Sequence, residues 1–515
     1  MIGVVMPLKR PASGTVVAAV LLAGAMGGTA CRKGLPIVGG KPAAPAARED
    51  ALFLAEAPAI VPDELSPDLA AMGIRRLFVA AASVSSGGQV RPFPPPPTPI
   101  GPPVVLVLAG EPGAEAGLRT GNPESLGGAW AGGAKKLVDE AKAWAQVTGV
   151  HLHILPAPTD ALALAKALET LRSRLPGLTV SVTLLAGAPA GTWEPLRGAV
   201  DEALVFSLGR RPETGDRFVR ELTEEEAKAF PIPFRLLLVP GGYGVTGTGS
   251  RTRRIADGEI DKLSEDRNLD FDFAAVLSTD PGSVYNFKPR AGYERMPNIL
   301  SQDGGRARFD VVPFADLVRV VSRVSRWGAG SLRGRVFLVD GVPRDGHLGG
   351  YPALLALLTG KPWDPAVTVE LIEGKGRGGE FWLRVANPRP TPSELSRFGN
   401  VVTIRLEGGV FTALGAGDFD RFELFATREM TDAAPFGRAT ACRLYENFFA
   451  PEESNEVGPI RIAGPRPRAF VSYQLTLPDG RTIEGEEVEV PVTPPAAAKP
   501  SPRRGQPAIP KLKGR

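Results

Sequence analysis

Eight short apolar segments between residues 52 and 339 constrain the fold of this chain more than any other feature. They are Leu52–Ala55, Arg76–Ala82, Val104–Ala109, Val150–Leu155, Val180–Ala186, Leu204–Leu208, Arg235–Val239 and Val336–Val339. Most lack a period-two alternation, the pattern of parallel strands covered on both faces. Helical runs lie between them, and Lys135–Val147 and Asp160–Leu175 are the clearest. In the second, Leu162, Ala165, Leu168, Leu171 and Arg172 recur at helical spacing, Thr159 and Asp160 stand where an N-cap belongs, and Pro176-Gly177 ends the run. Asp316–Trp327 and Tyr351–Leu358 follow as later helices. Strands and helices in this order predict an α/β chain, a (β/α)8 TIM-like barrel over residues 51–361, with an open doubly wound sheet as the alternative.

Two stretches interrupt that rhythm. The connection RPFPPPPTPIGPP after the second strand holds too many prolines for a helix and reads as a polyproline excursion. Residues 247–312 form a long insertion before the last βα unit, and the alternation that starts at Asn268 predicts an edge strand or hairpin there. After Pro362 the pattern changes to period two. Val367–Ile372, Glu380–Ala386, Val401–Leu406, Phe422–Thr427, Ala439–Leu444, Phe470–Leu477 and Thr482–Val490 predict a β-sandwich of immunoglobulin size over 362–492, without its cysteine pair. A disordered tail is expected from 493 to 515.

The first 30 residues read as an address. Lys9 and Arg10 precede a run of apolar and small residues from Thr15 to Gly28, and the leader closes on Thr29-Ala30-Cys31. This is the order of a secretory signal, with a run too short to span a bilayer. A Cys after small residues resembles a bacterial lipobox, with Gly28 in place of the usual Leu, so Cys31 is the expected lipidation site. Residues 31–50, rich in Pro, Ala and Gly, fit a flexible tether. The expected location is the cell envelope, and Arg32 after the Cys points to the outer membrane. With only two cysteines, a lipidated Cys31 leaves Cys442 without a disulfide partner, and its strand-like surroundings suit a buried structural thiol.

The net charge of +4 is unevenly placed. Six cations fall in the tail (Lys499, Arg503, Arg504, Lys511, Lys513 and Arg515) and two in the leader, so the body between them is about −4. An acidic body argues against a nucleic-acid partner.

Chemistry in a barrel belongs to the C-terminal ends of its strands. Reading those ends gives Glu56, Ser83, Glu111, His153, Arg210 with Arg211, Tyr243, and Asp340 with His347. Glu111 and Asp340 are the candidate catalytic acid and base, a role that needs carboxyls roughly 5–10 Å apart. Tyr243, Arg210, His347 and His153 are candidate binding residues. Acidic residues at loop starts also serve as caps. Gly242 to Gly247 spells G-x-G-x-x-G but opens no apolar helix, so no nucleotide cofactor is implied; Arg251, Arg253 and Arg254 beyond it would suit an anion. His151 and His153 share one strand face without a carboxylate or Cys beside them, and Asp270/Asp272 and Asp418/Asp420 read as exposed strand faces, so no metal site is expected.

These segments resemble an uncharacterised bacterial family catalogued as domain of unknown function 3142. The resemblance is carried by Ala71–Val79, by Val150–Leu155 with the helix end Ala167–Pro176, by Val180–Leu185 and by Pro231–Gly242, and it stops before the sandwich. It implies a barrel distantly similar to chitinase-like glycosidases, with acidic residues on the fourth strand. Here His153 and Leu155 stand at those positions, and no Asp or Glu falls between Val150 and Thr159. The resulting expectation is an exported lipoprotein whose glycosidase-like barrel binds or processes envelope glycans, its acid/base residues on the fourth strand lost. The alternative is a non-catalytic scaffold holding envelope protein partners.

Overall fold

The computed structural model describes residues 48–55, 62–97, 99–111, 113–208, 221–246, 253–255, 259–266, 268–272, 283–290, 307–339, 350–372, 380–396, 399–477 and 481–490. The first eight strands are β1 (Ala51–Leu54), β2 (Arg76–Val84), β3 (Val90–Pro92), β4 (Ile100–Gly110), β5 (Ala145–His153), β6 (Thr179–Leu185), β7 (Glu202–Leu208) and β8 (Phe234–Leu238). An insertion contributes β9 (Gly241–Thr246), β10 (Arg253–Ile255), β11 (Leu269–Asp272), β12 (Ser283–Pro289) and β13 (Ala307–Val312), and β14 (Leu332–Val339) returns to the first sheet.

Ring closure decides between the two topologies. β1 pairs in parallel with β2 on one side and with β14 on the other, so the order β1-β2-β4-β5-β6-β7-β8-β14 runs back to its start. A doubly wound sheet leaves two edges, and this ring of eight parallel strands leaves none. All eight strands lie within a few residues of their expected positions. β3 is an antiparallel appendage on β2, occupying part of the proline-rich excursion where a helix would otherwise stand.

Strand parity separates two cores. On β5, Val150 and Leu152 pack outward under the helices, and so do Val180, Val182 and Leu184 on β6. Residues of the opposite parity fill the barrel: Phe53, Phe78, Val105, Val107, Leu204, Phe206, Leu237, Val336 and Leu338. His151, Ser181 and Thr183 share that inward parity and are buried.

The helix expected from Lys135 instead runs Pro123–Ala141. Its start was encoded in Asn122-Pro123: the Asn122 side chain accepts from the backbone N–H of Glu124 and Ser125, and Pro123 occupies the first turn. Its end comes early because β5 begins at Ala145. The next helix, Ala161–Ser173, follows the expectation, but Asp160 makes no side-chain cap and pairs with Arg119 Nε at 3.1 Å. The later helices span Phe314–Val324 and Gly350–Thr359.

The insertion strands form one antiparallel sheet in the order β10-β9-β13-β12-β11, with β11 at its edge as the alternation predicts. That sheet begins at Gly241, before the expected boundary at 247. Beyond the barrel lie β15 (Thr368–Leu371), β16 (Glu380–Ala386), β17 (Asn400–Glu407), β18 (Val410–Leu414), β19 (Arg421–Phe425), β20 (Ala441–Glu446), β21 (Ser454–Ala463), β22 (Arg468–Thr476) and β23 (Thr482–Val490). They make two antiparallel sheets, β15-β16-β21-β18 and β19-β20-β17-β22-β23. One core drawn from both sheets, including Leu383, Phe411, Ile460, Ile404, Leu444 and Cys442, makes this a sandwich. β18 and β21 had no counterpart among the seven expected strands. β18 is short and follows two glycines, and Gly458-Pro459 breaks the period of β21. The insertion and the sandwich share a further core, where Phe287 and Phe309 meet Leu395 and Phe448.

Candidate functional site

The fourth barrel strand carries the most unusual chemistry in the described residues. His151 is fully buried, with Nδ1 2.9 Å from Ser181 Oγ and Nε2 2.8 Å from Thr183 Oγ1. His153, one step nearer the mouth, places Nδ1 2.8 Å from the same Thr183 hydroxyl. The rings of Phe53 and Phe78 meet His151 edge-on, with centroids 6.0 and 5.5 Å away. Burial among these rings pushes the His151 pKa well below the usual imidazole value, and the proximity of His153 acts in the same direction. His151 is therefore a neutral ring whose two nitrogens are both engaged. Neither is available to a metal ion without loss of a hydrogen bond.

Glu111 starts the loop after β4, two residues beyond Ala109, the partner of His153 in the sheet. Its Oε1 accepts from Ser83 Oγ at 2.9 Å and from Arg91 Nη1 at 3.0 Å. Arg91 comes from β3, so the proline-rich excursion supplies a cation to the barrel rim. The Glu111 side chain is 30 % exposed and stands within reach of a ligand at the mouth. The structure thus brings Glu111, Ser83 and His153 to adjoining strand ends.

Other expected residues contribute less. Tyr243 lies on β9, opposite Asp310 of β13, in the insertion sheet. The glycine motif around it forms a strand over 241–246, and a side chain at Gly242 would meet the Asp310 carbonyl oxygen, so no phosphate-cradling loop exists in that span. Glu56, Arg210, Arg211, Asp340, His347, Arg251 and Cys31 lie outside the described residues, as do the leader, residues 31–47 of the expected tether and the basic tail; Arg48 and Asp50, at the end of that tether, are held by the Val324 carbonyl and by Arg335. Asp418 and Asp420 are not open cation ligands: they accept from the backbone N–H of Glu456 and Asn447, both at 2.8 Å. Asp270 pairs with Arg290 at 3.0 Å. Among the described residues no group of three His, Cys, Asp or Glu is placed to hold a metal, and no helix is long and apolar enough to cross a membrane.

Ser181 and Thr183 were not expected at the site. Their signal was present in Thr179-Val-Ser-Val-Thr, where small hydroxyls alternate with apolar residues inside an otherwise apolar run. Alternation in a buried parallel strand marks a polar interior face.

No protein-family model matches the chain, and no curated protein does. Among solved structures it is similar to the spore cortex-lytic enzyme SleL of Bacillus megaterium, at 15 % identity over 61 % of this chain and 74 % of that one, TM-score 0.35. A chitinase of Chromobacterium violaceum is similar at 13 % identity over 60 % and 98 % of the two chains, TM-score 0.36. A GH18 chitinase of Cycas revoluta is similar at 12 % identity over 61 % and 99 %, TM-score 0.35. Likenesses of this size carry no argument of their own, and the barrel rests on its strand pairings.

Proposed function

We propose that this chain is an exported, lipid-anchored protein whose barrel binds glycans at its C-terminal mouth without cleaving them. The observation that carries the reading is the fourth strand. Its inward positions hold His151 and His153, bonded to Ser181 and Thr183, and His153 is, with Leu155, one of the two positions where the resemblance implies carboxylates. Most glycosidases cleave with a carboxyl that gives a proton and a second that attacks or activates water. A neutral imidazole held by two hydroxyls supplies neither. The groups at the rim (Ser83, Glu111, Arg91 and His153) are donors and acceptors suited to sugar hydroxyls.

A second reading keeps catalysis, with Glu111 and Asp340 as the acid/base pair. Its support is the position of Glu111 at the mouth, on a strand end where barrel enzymes place their chemistry. One experiment separates the two. The purified protein and its Glu111→Gln variant are titrated with a glycan panel, and the products are analysed by mass spectrometry. Binding without cleavage by both proteins supports the first reading. Cleavage lost in the variant supports the second, and neither binding nor cleavage overturns both. Mass spectrometry of the mature N-terminus tests the anchor, and an unmodified Cys31 thiol would refute it.

A further inference from the structure

We propose that the base of the barrel is a docking surface for an anionic phospholipid bilayer, so that the anchored chain presents its mouth away from the membrane. The orientation in the cell rests on the lipid-anchor reading, whereas the surface itself does not. The argument starts from Arg48, Glu49 and Asp50, which form a strap across the base end of β14. The Arg48 guanidinium donates to the carbonyls of Val324, at 3.0 Å, and Trp327, at the end of the helix Phe314–Val324. The Glu49 N–H donates to the Arg333 carbonyl at 3.0 Å, and the Glu49 carbonyl accepts from Arg235. Arg335 Nε lies 2.9 Å from Asp50 Oδ1. A Cβ at Gly334 would lie 2.0 Å from the Glu49 carbonyl oxygen, so the strap is pressed onto the strand. These bonds fix where the preceding chain leaves the barrel: at the end opposite Ser83 and Glu111.

Chain length turns that point into an orientation. Residues 32–47, sixteen in all, separate Cys31 from Arg48. A coil of that length spans about 20–24 Å. The helix Pro123–Ala141, 19 residues running from mouth to base, is about 28 Å long. A lipid on Cys31 therefore reaches the base without extension of the tether, and the mouth only with the tether drawn out along the barrel wall. The insertion leaves the barrel at the mouth, between the end of β8 at Leu238 and the start of β9 at Gly241, so its bulk is added at the end away from the strap.

Charge selects the kind of surface. The base is built from helix ends and strand starts, and helix C-termini favour cations. Arg48, Arg75, Arg174 and Arg326 are exposed in those turns, and none of them pairs with a carboxylate among the described residues. The exposed acids of this end without a cation are Glu140 and Glu225. Its other carboxylates are occupied: Asp139 by Lys142, Asp201 by Arg172 and Glu202 by Arg235. Cations thus exceed acids here, on a chain whose body is acidic as a whole. Anionic headgroups attract such a cluster within a Debye length, about 8–10 Å at ordinary ionic strength, and uncharged headgroups do not.

Hydrogen exchange on vesicles tests the surface. The chain from Cys31 to Arg515 is joined through the Cys31 thiol to a maleimide-bearing phospholipid, so attachment does not depend on processing in the cell; Cys442 is buried and does not compete. On phosphatidylglycerol vesicles, peptides covering Arg75, Arg174 and Arg326 should exchange at least about twofold more slowly than in the unattached protein, since each unit of charge near the surface adds to the attraction. Peptides covering Ser86 and Gly113 at the mouth should be unchanged. Phosphatidylcholine vesicles should remove the protection. Joint replacement of Arg75, Arg174 and Arg326 by Gln should remove it too, and replacement by Lys should retain it. Equal protection at mouth and base, or protection that survives on phosphatidylcholine or in the Gln variant, would overturn the proposal. Mass spectrometry of the cell-derived N-terminus separates the two readings. An unmodified Cys31 removes the orientation in the cell, and the vesicle result then stands or falls by itself.

Discussion

Arg235 Nε lies 2.9 Å from Glu202 Oε2 inside the base of the barrel, with side chains only 6 % and 11 % exposed. Arg76 approaches the other oxygen of Glu202 at 3.3 Å, and Arg235 also donates to the backbone carbonyl of Glu49. One carboxylate between two guanidiniums closes the end of the barrel opposite the mouth. Removing it leaves Arg235 charged, buried and unpaired. Glu202→Gln should therefore lower the unfolding free energy by about 3–5 kcal/mol in urea titrations. Asp139→Asn, which breaks an exposed pair with Lys142, should cause no measurable change. Equal effects of the two substitutions would show that the basal pair is not desolvated.

His151 makes stability depend on pH in a defined direction. Burial holds the folded-state pKa well below the usual value, so the folded ring stays neutral where the unfolded one, near 6.5, gains a proton. The unfolded state then binds more protons, and stability is lost as pH falls below that value, at up to about 1.4 kcal/mol per pH unit from this group. The stability advantage of wild type over His151→Gln should thus shrink between pH 7.5 and pH 5, a range in steps of about one unit around the imidazole pKa. A constant advantage in denaturant midpoints would contradict a neutral His151.

Cys442 should behave as an inert thiol with an alkaline signature. Burial in the sandwich core pushes its pKa far up, and the charge of Glu423 adds to the effect. The unfolded thiol ionises near 8.5 while the folded one keeps its proton, so stability falls as pH rises above about 8.5. Cys442→Ala should flatten that fall. Iodoacetamide should label the Cys442 peptide only in denaturant, as read by peptide mass spectrometry, and rapid labelling of the folded protein would contradict the burial.

Gly127 sets helix propensity against packing. Within the helix Pro123–Ala141, an alanine would ordinarily gain about 1 kcal/mol. A Cβ at Gly127, however, would lie 2.1 Å from the Ala167 carbonyl oxygen on the neighbouring helix. Packing should win, so Gly127→Ala is expected to cost about 1–3 kcal/mol. A rise in melting temperature would show that the helices separate freely at this point. Gly132, with open space around it, is the control, and Gly132→Ala should be neutral or stabilising.

Much of the barrel was legible because buried parallel strands need unbroken apolar runs, and such runs stand out between helical segments. Helix ends were less legible. Asn122-Pro123 marks a start only when read as a cap, and the end before Ala145 is imposed by β5 joining the sheet. β18 escaped because it is short and follows two glycines, and β21 because Gly458-Pro459 interrupts it; their pairing partners, not their own pattern, make them strands. At the site, Glu111 and His153 were read from their positions at strand ends. Ser181 and Thr183 were not, because their alternation marks a polar interior face without telling which partner stands opposite.

The sequence by itself determined the order of strands and helices, the change to a period-two pattern after Pro362, and the presence of two imidazoles on the fourth strand. Those are local properties, set by side-chain polarity and backbone preference over a few residues. Tertiary structure alone decided that β1 pairs with both β2 and β14, that Glu202 meets Arg76 and Arg235, and that one threonine hydroxyl joins two histidines. Each of these depends on register and closure. A shift of one residue in pairing would turn His151 from the barrel interior to the helical layer, and no local pattern records that choice.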